Sequence, residues 1–195
     1  MIGILALQGA FREHQQILEV LGQRTVLVKK PSQLSAIDGL VLGGGESTTM
    51  SLLLDKYEFK EPLKDFVQDH PILATCAGLI LLSKKVKDGD SYFPVVDVSV
   101  KRNAYGRQVD SFEEEIDVPL LGPKPFPGVF IRAPKIEKVG LKVDTLAVHD
   151  KRAVVVKQGG IIGLTFHPEL TNDTRFHQHF VTLVNKSKAK EKEKV

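Results

Sequence analysis

The stretch Ile72-Leu73-Ala74-Thr75-Cys76-Ala77-Gly78-Leu79-Ile80-Leu81-Leu82-Ser83 leads from an unbroken apolar run, through the only cysteine of the chain, into a second apolar run. This order predicts a strand, a tight elbow and a helix. A small residue, any residue, Cys, any residue and Gly at the end of a buried strand project the central side chain from the carboxyl edge of a sheet, at the N-terminus of the next helix. The positive end of that helix and its unpaired N–H groups favour thiolate over thiol, and thiolate is the reactive form. A lone cysteine is more often a small buried hydrophobe than a nucleophile. Cys76 is therefore weighed by what else in the chain can reach it.

Upstream, Ile2 to Leu7 is almost continuously apolar, as expected of a parallel strand covered on both faces. Gln8-Gly9-Ala10 forms a sharp loop, and Phe11, Ile17, Leu18 and Leu21 fall at helical spacing before Gly22. Thr25–Val28 and Asp38–Leu42 read as further strands joined through Pro31–Ala36, and Met50–Leu54 and Glu61–Val67 as helical cover. Strands alternating with helices predict a doubly wound α/β fold, with a mostly parallel central sheet and helices on both faces. Ligands in such folds sit at the carboxyl ends of strands. Both Cys76 and the run Gly43-Gly44-Gly45-Glu46-Ser47-Thr48-Thr49 fall there. Backbone N–H groups in a glycine run can cradle a phosphate or an oxyanion. The Gly-Lys-Ser/Thr ending of a phosphate loop is missing, so an oxyanion hole fits better beside a nucleophile.

Downstream, Val96, Val98 and Val100 alternate with polar residues, and Phe112–Ile116 and Val129–Arg132 read as short strands. They predict an added mixed or antiparallel region. Arg102 to Gln108 is a polar loop with two arginines, and Pro119 to Pro127 a surface connection. Leu146–Val148, Ala153–Val156 and Ile161–Phe166 are three more strand signals, the last running straight into His167-Pro168-Glu169-Leu170. Phe176, Phe180, Val181 and Val184 mark a closing helix. The remaining histidines, His14, His70, His149, His177 and His179, are expected on exposed faces or in loops.

A chain of 195 residues, 42% hydrophobic and 26% charged, can bury one substantial core. One domain over residues 1–185 is expected, followed by a charged, frayed tail at 186–195. The formal charge of +3 sits in that tail, whose five lysines and two glutamates leave 22 basic and 22 acidic residues elsewhere. A neutral body argues against a nucleic-acid partner. No apolar stretch approaches the roughly 20 residues of a membrane span, and no basic leader precedes Ile2, so a cytoplasmic location is expected. One cysteine makes no internal disulfide, and no Cys/His cluster has zinc spacing, so no metal is expected.

Three residues far apart in sequence make up a candidate catalytic site. Cys76 supplies the nucleophile. His167 follows a strand end and can reach the same sheet edge as general base and then general acid. Glu169 can return to the imidazole because Pro168 fixes the backbone between them, selecting the tautomer and stabilising the imidazolium.

An elbow cysteine with a distant His-Pro-Glu resembles the triad glutaminases of the class I amidotransferases, flavodoxin-like in fold. Gln8-Gly9-Ala10-Phe11-Arg12-Glu13-His14, Gly44-Gly45-Glu46-Ser47-Thr48-Thr49, Arg102-Asn103 with Gly106-Arg107-Gln108 and Ser111-Phe112, and Phe130-Ile131-Arg132-Ala133-Pro134 narrow the resemblance. They are similar to motifs of the glutaminase subunits of pyridoxal 5'-phosphate synthases, in order over residues 1 to about 184. Ala74 stands where that family usually has Gly, and Gly43 where it usually has Pro.

The resemblance implies hydrolysis of L-glutamine to glutamate and ammonia through a cysteinyl thioester. Ammonia would pass to a separate, barrel-shaped synthase subunit, and no cofactor is implied for this chain. It also implies an oxyanion hole from Gly45 and Ala77, and glutamine binding by Gly45, Glu46, Ser47, Arg102, Ile131 and Arg132. Partner docking is expected around Gln8, Arg12, Glu13 and His14. Two alternatives are a glutaminase subunit of another amidotransferase, which should lack the Gln8–His14 and Arg102–Phe112 motifs, and a non-catalytic regulatory module, which should have lost a triad residue.

Overall fold

The computed structural model describes residues 1–87, 89–103 and 111–193. The first half alternates strand and helix as the apolar pattern predicts: β1 (Ile2–Leu5), α1 (Phe11–Val20), β2 (Thr25–Val28), β3 (Gly39–Leu42), α2 (Ser47–Lys56), α3 (Lys60–Asp69), β4 (Ile72–Thr75) and α4 (Ala77–Leu82). Pro31–Ala36, between β2 and β3, forms a 3₁₀ helix. The second half is strand-rich: β5 (Ser83–Val86), β6 (Val96–Lys101), β7 (Ser111–Ile116), β8 (Phe126–Ile131), β9 (Lys135–Val139), β10 (Asp144–His149), β11 (Arg152–Gln158) and β12 (Ile161–Leu164). The helix α5 (Arg175–Lys192) closes the chain.

Seven strands form the central sheet in the order β10-β11-β12-β4-β3-β1-β2. The five from β12 to β2 are parallel, and β11 and β10 add antiparallel pairs at one edge. Strand periodicity sends alternate residues to opposite faces. Ile2, Ile4, Val41, Leu73 and Ile162 join Leu18 of α1 and Phe176, Phe180 and Val184 of α5 in one core. Leu5, Leu40, Leu42, Ile72 and Ala74 join Met50 and Leu54 of α2, Leu63 and Phe66 of α3, and Leu79 and Leu81 of α4 in the other. The sheet is thus covered on both faces, the doubly wound arrangement predicted.

The added region is present as a three-stranded sheet, β5-β6-β9, and a two-stranded ribbon, β7-β8. The β6 strand alternates buried and half-buried residues as its valines predict. Two strands carry little sequence signal. Within β5 only Ser83 and Val86 are buried, and within β9 only Ile136. The ribbon also starts earlier than expected, because Phe126 is fully buried and packs edge-on against Phe176 at 4.7 Å. Pro127 is tolerated there because an edge strand need not donate on both sides. Helix α5 continues through residues 186–192, and Lys188 Nζ lies 3.0 Å from Asp38 Oδ2. No helix among the described residues is long and apolar enough to cross a membrane.

The elbow after β4 depends on close packing of α4 against β3. A Cβ on Gly78 would overlap the backbone carbonyl oxygen of Leu42, which has no flexible end to move aside. Gly78→Ala should therefore destabilise the protein by about 1–3 kcal/mol, the usual cost of overpacking, measured as a lower urea midpoint with an unchanged slope.

Candidate active site

Strands β4 and β12 are parallel neighbours with Thr75 opposite Leu164, so the chain leaves both at the same sheet edge. Cys76 follows β4 directly, and its N–H donates to the Leu164 carbonyl at 2.9 Å. Its backbone sits at φ 49° and ψ −106°. A residue with a Cβ occupies such a region only when its surroundings hold it there, and such residues cluster at functional sites. The Cys76 thiol is 3.9 Å from the Ile131 carbonyl oxygen, and Ala77 begins α4, where backbone N–H groups lack helical partners.

His167 leaves β12 three residues after Leu164 and is anchored by a 2.8 Å bond from its N–H to the Val129 carbonyl of β8. Its Nδ1 lies 2.7 Å from Glu169 Oε1, which fixes the proton on Nδ1. Nε2 is buried without a partner of hydrogen-bond geometry among the described residues, and Cys76 and His167 line one cavity. Burial works against a cationic imidazole here. Charge from Cys76 and the hydrogen-bonded, charged Glu169 outweigh it and raise His167 to about 10. Burial likewise opposes the Glu169 carboxylate, yet His14 and His167 hold it below the ordinary range. At neutral pH the pair is therefore imidazolium and carboxylate.

The cavity over these groups measures about 390 Å³. The sequence-predicted residues Gly45, Glu46, Ser47, Arg102, Ile131 and Arg132 all line it with Cys76 and His167. Gly44 is pressed so closely on the His167 ring that a Cβ would overlap it. Most of the Glu46 carboxylate is already engaged. It caps α2 by accepting from Thr48 N–H, Thr49 N–H and the Thr49 hydroxyl, which leaves one of its roughly four lone-pair sites. Arg102 Nη1 donates to the Thr48 hydroxyl at 2.9 Å. Asn103, unassigned from sequence, also lines the cavity; it and Arg132 share positive φ, 45° and 43°. Leu170 and Ile80 complete the apolar side. Gly106-Arg107-Gln108 lie outside the described residues.

The expected docking residues divide. Gln8 lines the cavity and accepts from Glu46 N–H at 3.0 Å, Arg12 is exposed and Glu13 half-buried. His14 contradicts the expectation of a polar docking face, because it is fully buried under Glu169. His177 is likewise buried rather than exposed, and the two rings are hydrogen-bonded at 2.9 Å. Helical spacing explains the error: His14 and Leu18, four residues apart, share the buried face of α1.

The model of the SNO glutamine amidotransferase family matches residues 4–186. The chain belongs to that family. A protein named pyridoxal 5'-phosphate synthase subunit PdxT from Thermotoga petrophila is 48% identical over 185 residues, covering 94% of this chain and 98% of its own. One of the same name from Bacillus velezensis is 49% identical over 189 residues, covering 96% of each chain. A crystal structure of a glutamine amidotransferase superposes with a TM-score of 0.89 at 40% identity, over 94% of this chain and 98% of the other. PurLQS from Thermotoga maritima, at 16% identity and a TM-score of 0.67 over 93% and 97% of the chains, shares the fold alone.

In this family member, the raised proton affinity of His167 links stability to pH. The imidazolium is favoured by folding, so its contribution is full below the unfolded value of 6.5 and is lost as pH rises through about 10. Unfolding by urea should show the advantage of wild type over His167→Gln shrinking from pH 6.5 to 10, and a constant difference would contradict the pairing.

Proposed function

We propose that this protein hydrolyses L-glutamine to L-glutamate and ammonia as the glutaminase subunit of a pyridoxal 5'-phosphate synthase. The observation that supports this best is a cysteine sulfur, an imidazolium and a buried carboxylate assembled at one sheet edge beside a cavity of about 390 Å³. Relatives that carry that subunit's name are 48–49% identical over nearly the whole chain.

The chemistry follows from the geometry. With the Cys76 proton already held on His167 Nε2, the thiolate attacks the side-chain amide carbon of glutamine. Charge develops on the amide oxygen, and the N–H groups of Gly45 and Ala77 are the donors proposed to hold it. The imidazolium protonates the departing nitrogen, the carbon–nitrogen bond breaks, and ammonia leaves a thioester on Sγ. Neutral His167 then takes a proton from water, whose oxygen displaces the sulfur to give glutamate. Glu169 stays ionised throughout and keeps the imidazole proton on Nδ1. Arg102 and Arg132 are suited to the α-carboxylate of the substrate, and Glu46 and the Ile131 carbonyl to its ammonium.

The ammonia passes, in this reading, to a barrel-shaped synthase subunit docked around Gln8, Arg12 and Glu13. Residues 1–185 act as one glutaminase domain. Release into water would protonate most of the ammonia and waste it as a nucleophile, so hydrolysis gains from being coupled to docking.

A glutaminase assay with and without the synthase subunit tests the whole reading, and a fully active isolated subunit indifferent to its partner would contradict the coupling. Cys76→Ala should abolish glutamate release while leaving the fold and partner binding intact. Substantial turnover in that variant would remove the thiol from the mechanism. Arg102→Ala should chiefly raise KM for glutamine, and an unchanged KM would show that the guanidinium does not recognise the substrate.

A further inference from the structure

His14 and His177 are two fully buried imidazoles that the mechanism above leaves unused. Their proton positions can be worked out from their neighbours. His14 Nδ1 and His177 Nε2 are 2.9 Å apart, so one nitrogen carries the hydrogen and the other is bare. His177 Nδ1 is buried with no hydrogen-bond partner among the described residues, and a hydrogen there would be an unsatisfied buried donor. The hydrogen of His177 therefore lies on Nε2 and is donated to His14 Nδ1. Neutral His14 must then carry its hydrogen on Nε2. That nitrogen is 3.5 Å from Glu169 Oε2 and 3.4 Å from the Thr75 hydroxyl.

We propose that His14 is a positioning residue, donating from Nε2 to Glu169 Oε2 with its tautomer set by His177, so that Glu169 Oε1 stays on His167. The inference rests on the triad reading above. Oε2 has no other hydrogen-bond partner among the described residues. The 3.5 Å separation is long for a hydrogen bond, as contacts in unliganded active sites often are before they tighten. The terminal torsion of a Glu side chain has broad minima, so one contact alone leaves the carboxylate free to swing. A donor on each oxygen fixes its plane. Burial keeps both imidazoles uncharged, and His14 also raises the cost of protonating His177, which is pushed down to about 3. The charged groups around His14 are Glu169 and Glu13, which favour its cation, and His167, which opposes it.

Two variants of similar polarity separate the two nitrogens. Gln at position 14 places an amide N–H near the former Nε2, facing Glu169, whereas Asn reaches only toward His177. His14→Gln should retain kcat within a few-fold of wild type. His14→Asn should lower kcat by about 10–100-fold, the scale of outer-shell partners of functional histidines, with KM unchanged. Its acid limb should also move to higher pH, because a carboxylate that loses a donor is easier to protonate. Equal kcat and equal pH profiles in the two variants would overturn the proposal. Nitrogen-15 spectra of histidine-labelled wild type give a reading independent of activity, in which His14 and His177 should both be neutral Nε2–H tautomers at pH 7. A cationic His14, or one protonated on Nδ1, would overturn the proposal even if both variants misfold. A wild type that hydrolyses no glutamine would count against the function proposed above, with the tautomers still deciding this one.

Discussion

Cys76 holds a backbone geometry that costs a residue with a Cβ about 1–3 kcal/mol, and much of the architecture can be read as what keeps it there. The residue is clamped from both sides. Its N–H is bonded to Leu164 of β12, and its carbonyl accepts from Ile80 N–H at 3.1 Å as the first bond of α4. Gly78 lets that helix rest directly on the Leu42 carbonyl, so α4 cannot back away from β3 to relax the turn. The three strands that meet at the elbow are the central β3, β4 and β12, each buried at every residue. The strained cysteine thus stands where the sheet is buried on both faces.

The second requirement is electrostatic. A carboxylate that is 5% exposed would cost several kcal/mol if left alone. Glu169 stays ionised because an imidazolium lies 2.7 Å from one oxygen and the His14 ring lies beside the other. The charge is balanced by one cation, not two. If His14 were also protonated, two buried cations would flank the carboxylate and the His167 ring would lose its proton more easily. Burial of His14 and its contact with His177 prevent that, which leaves the mobile proton on the ring that faces the cavity.

Most of the fold was legible because its central strands are short, apolar and buried on both faces, and such runs stand out in any sequence. The proposed triad was legible too, since Cys76 is unique and His167-Pro168-Glu169 follows directly from an apolar strand. The features without a sequence signal have a physical reason in each case. Strands β5 and β9 bury one or two residues each, so pairing with β6 decides them and their own pattern does not. Phe126 lies in a stretch whose prolines suggest a surface connection, although its burial against Phe166 and Phe176 is a contact made across some 40 to 50 residues of chain. His14 and His177 looked like surface residues because a polar side chain buried at long range against another polar side chain leaves no periodic signal. Only the pairing across the fold identifies them.

That pairing changes what α1 is for. The helix touches the site at three points that belong to different parts of the chemistry. Gln8, in the loop before it, accepts from Glu46 N–H next to the proposed oxyanion donor, and Ala10 N–H holds the Gly44 carbonyl at 3.1 Å. His14, one turn further on, sits against Gly43 and below Glu169. Gly44 in turn presses on the His167 ring. A small rigid shift of α1 would therefore move the glycine loop, the imidazole and the carboxylate together, because packed interiors transmit displacement rather than absorb it. The exposed side of the same helix carries Arg12. A partner bound there would act on the glycine loop and on the His167–Glu169 pair through one element.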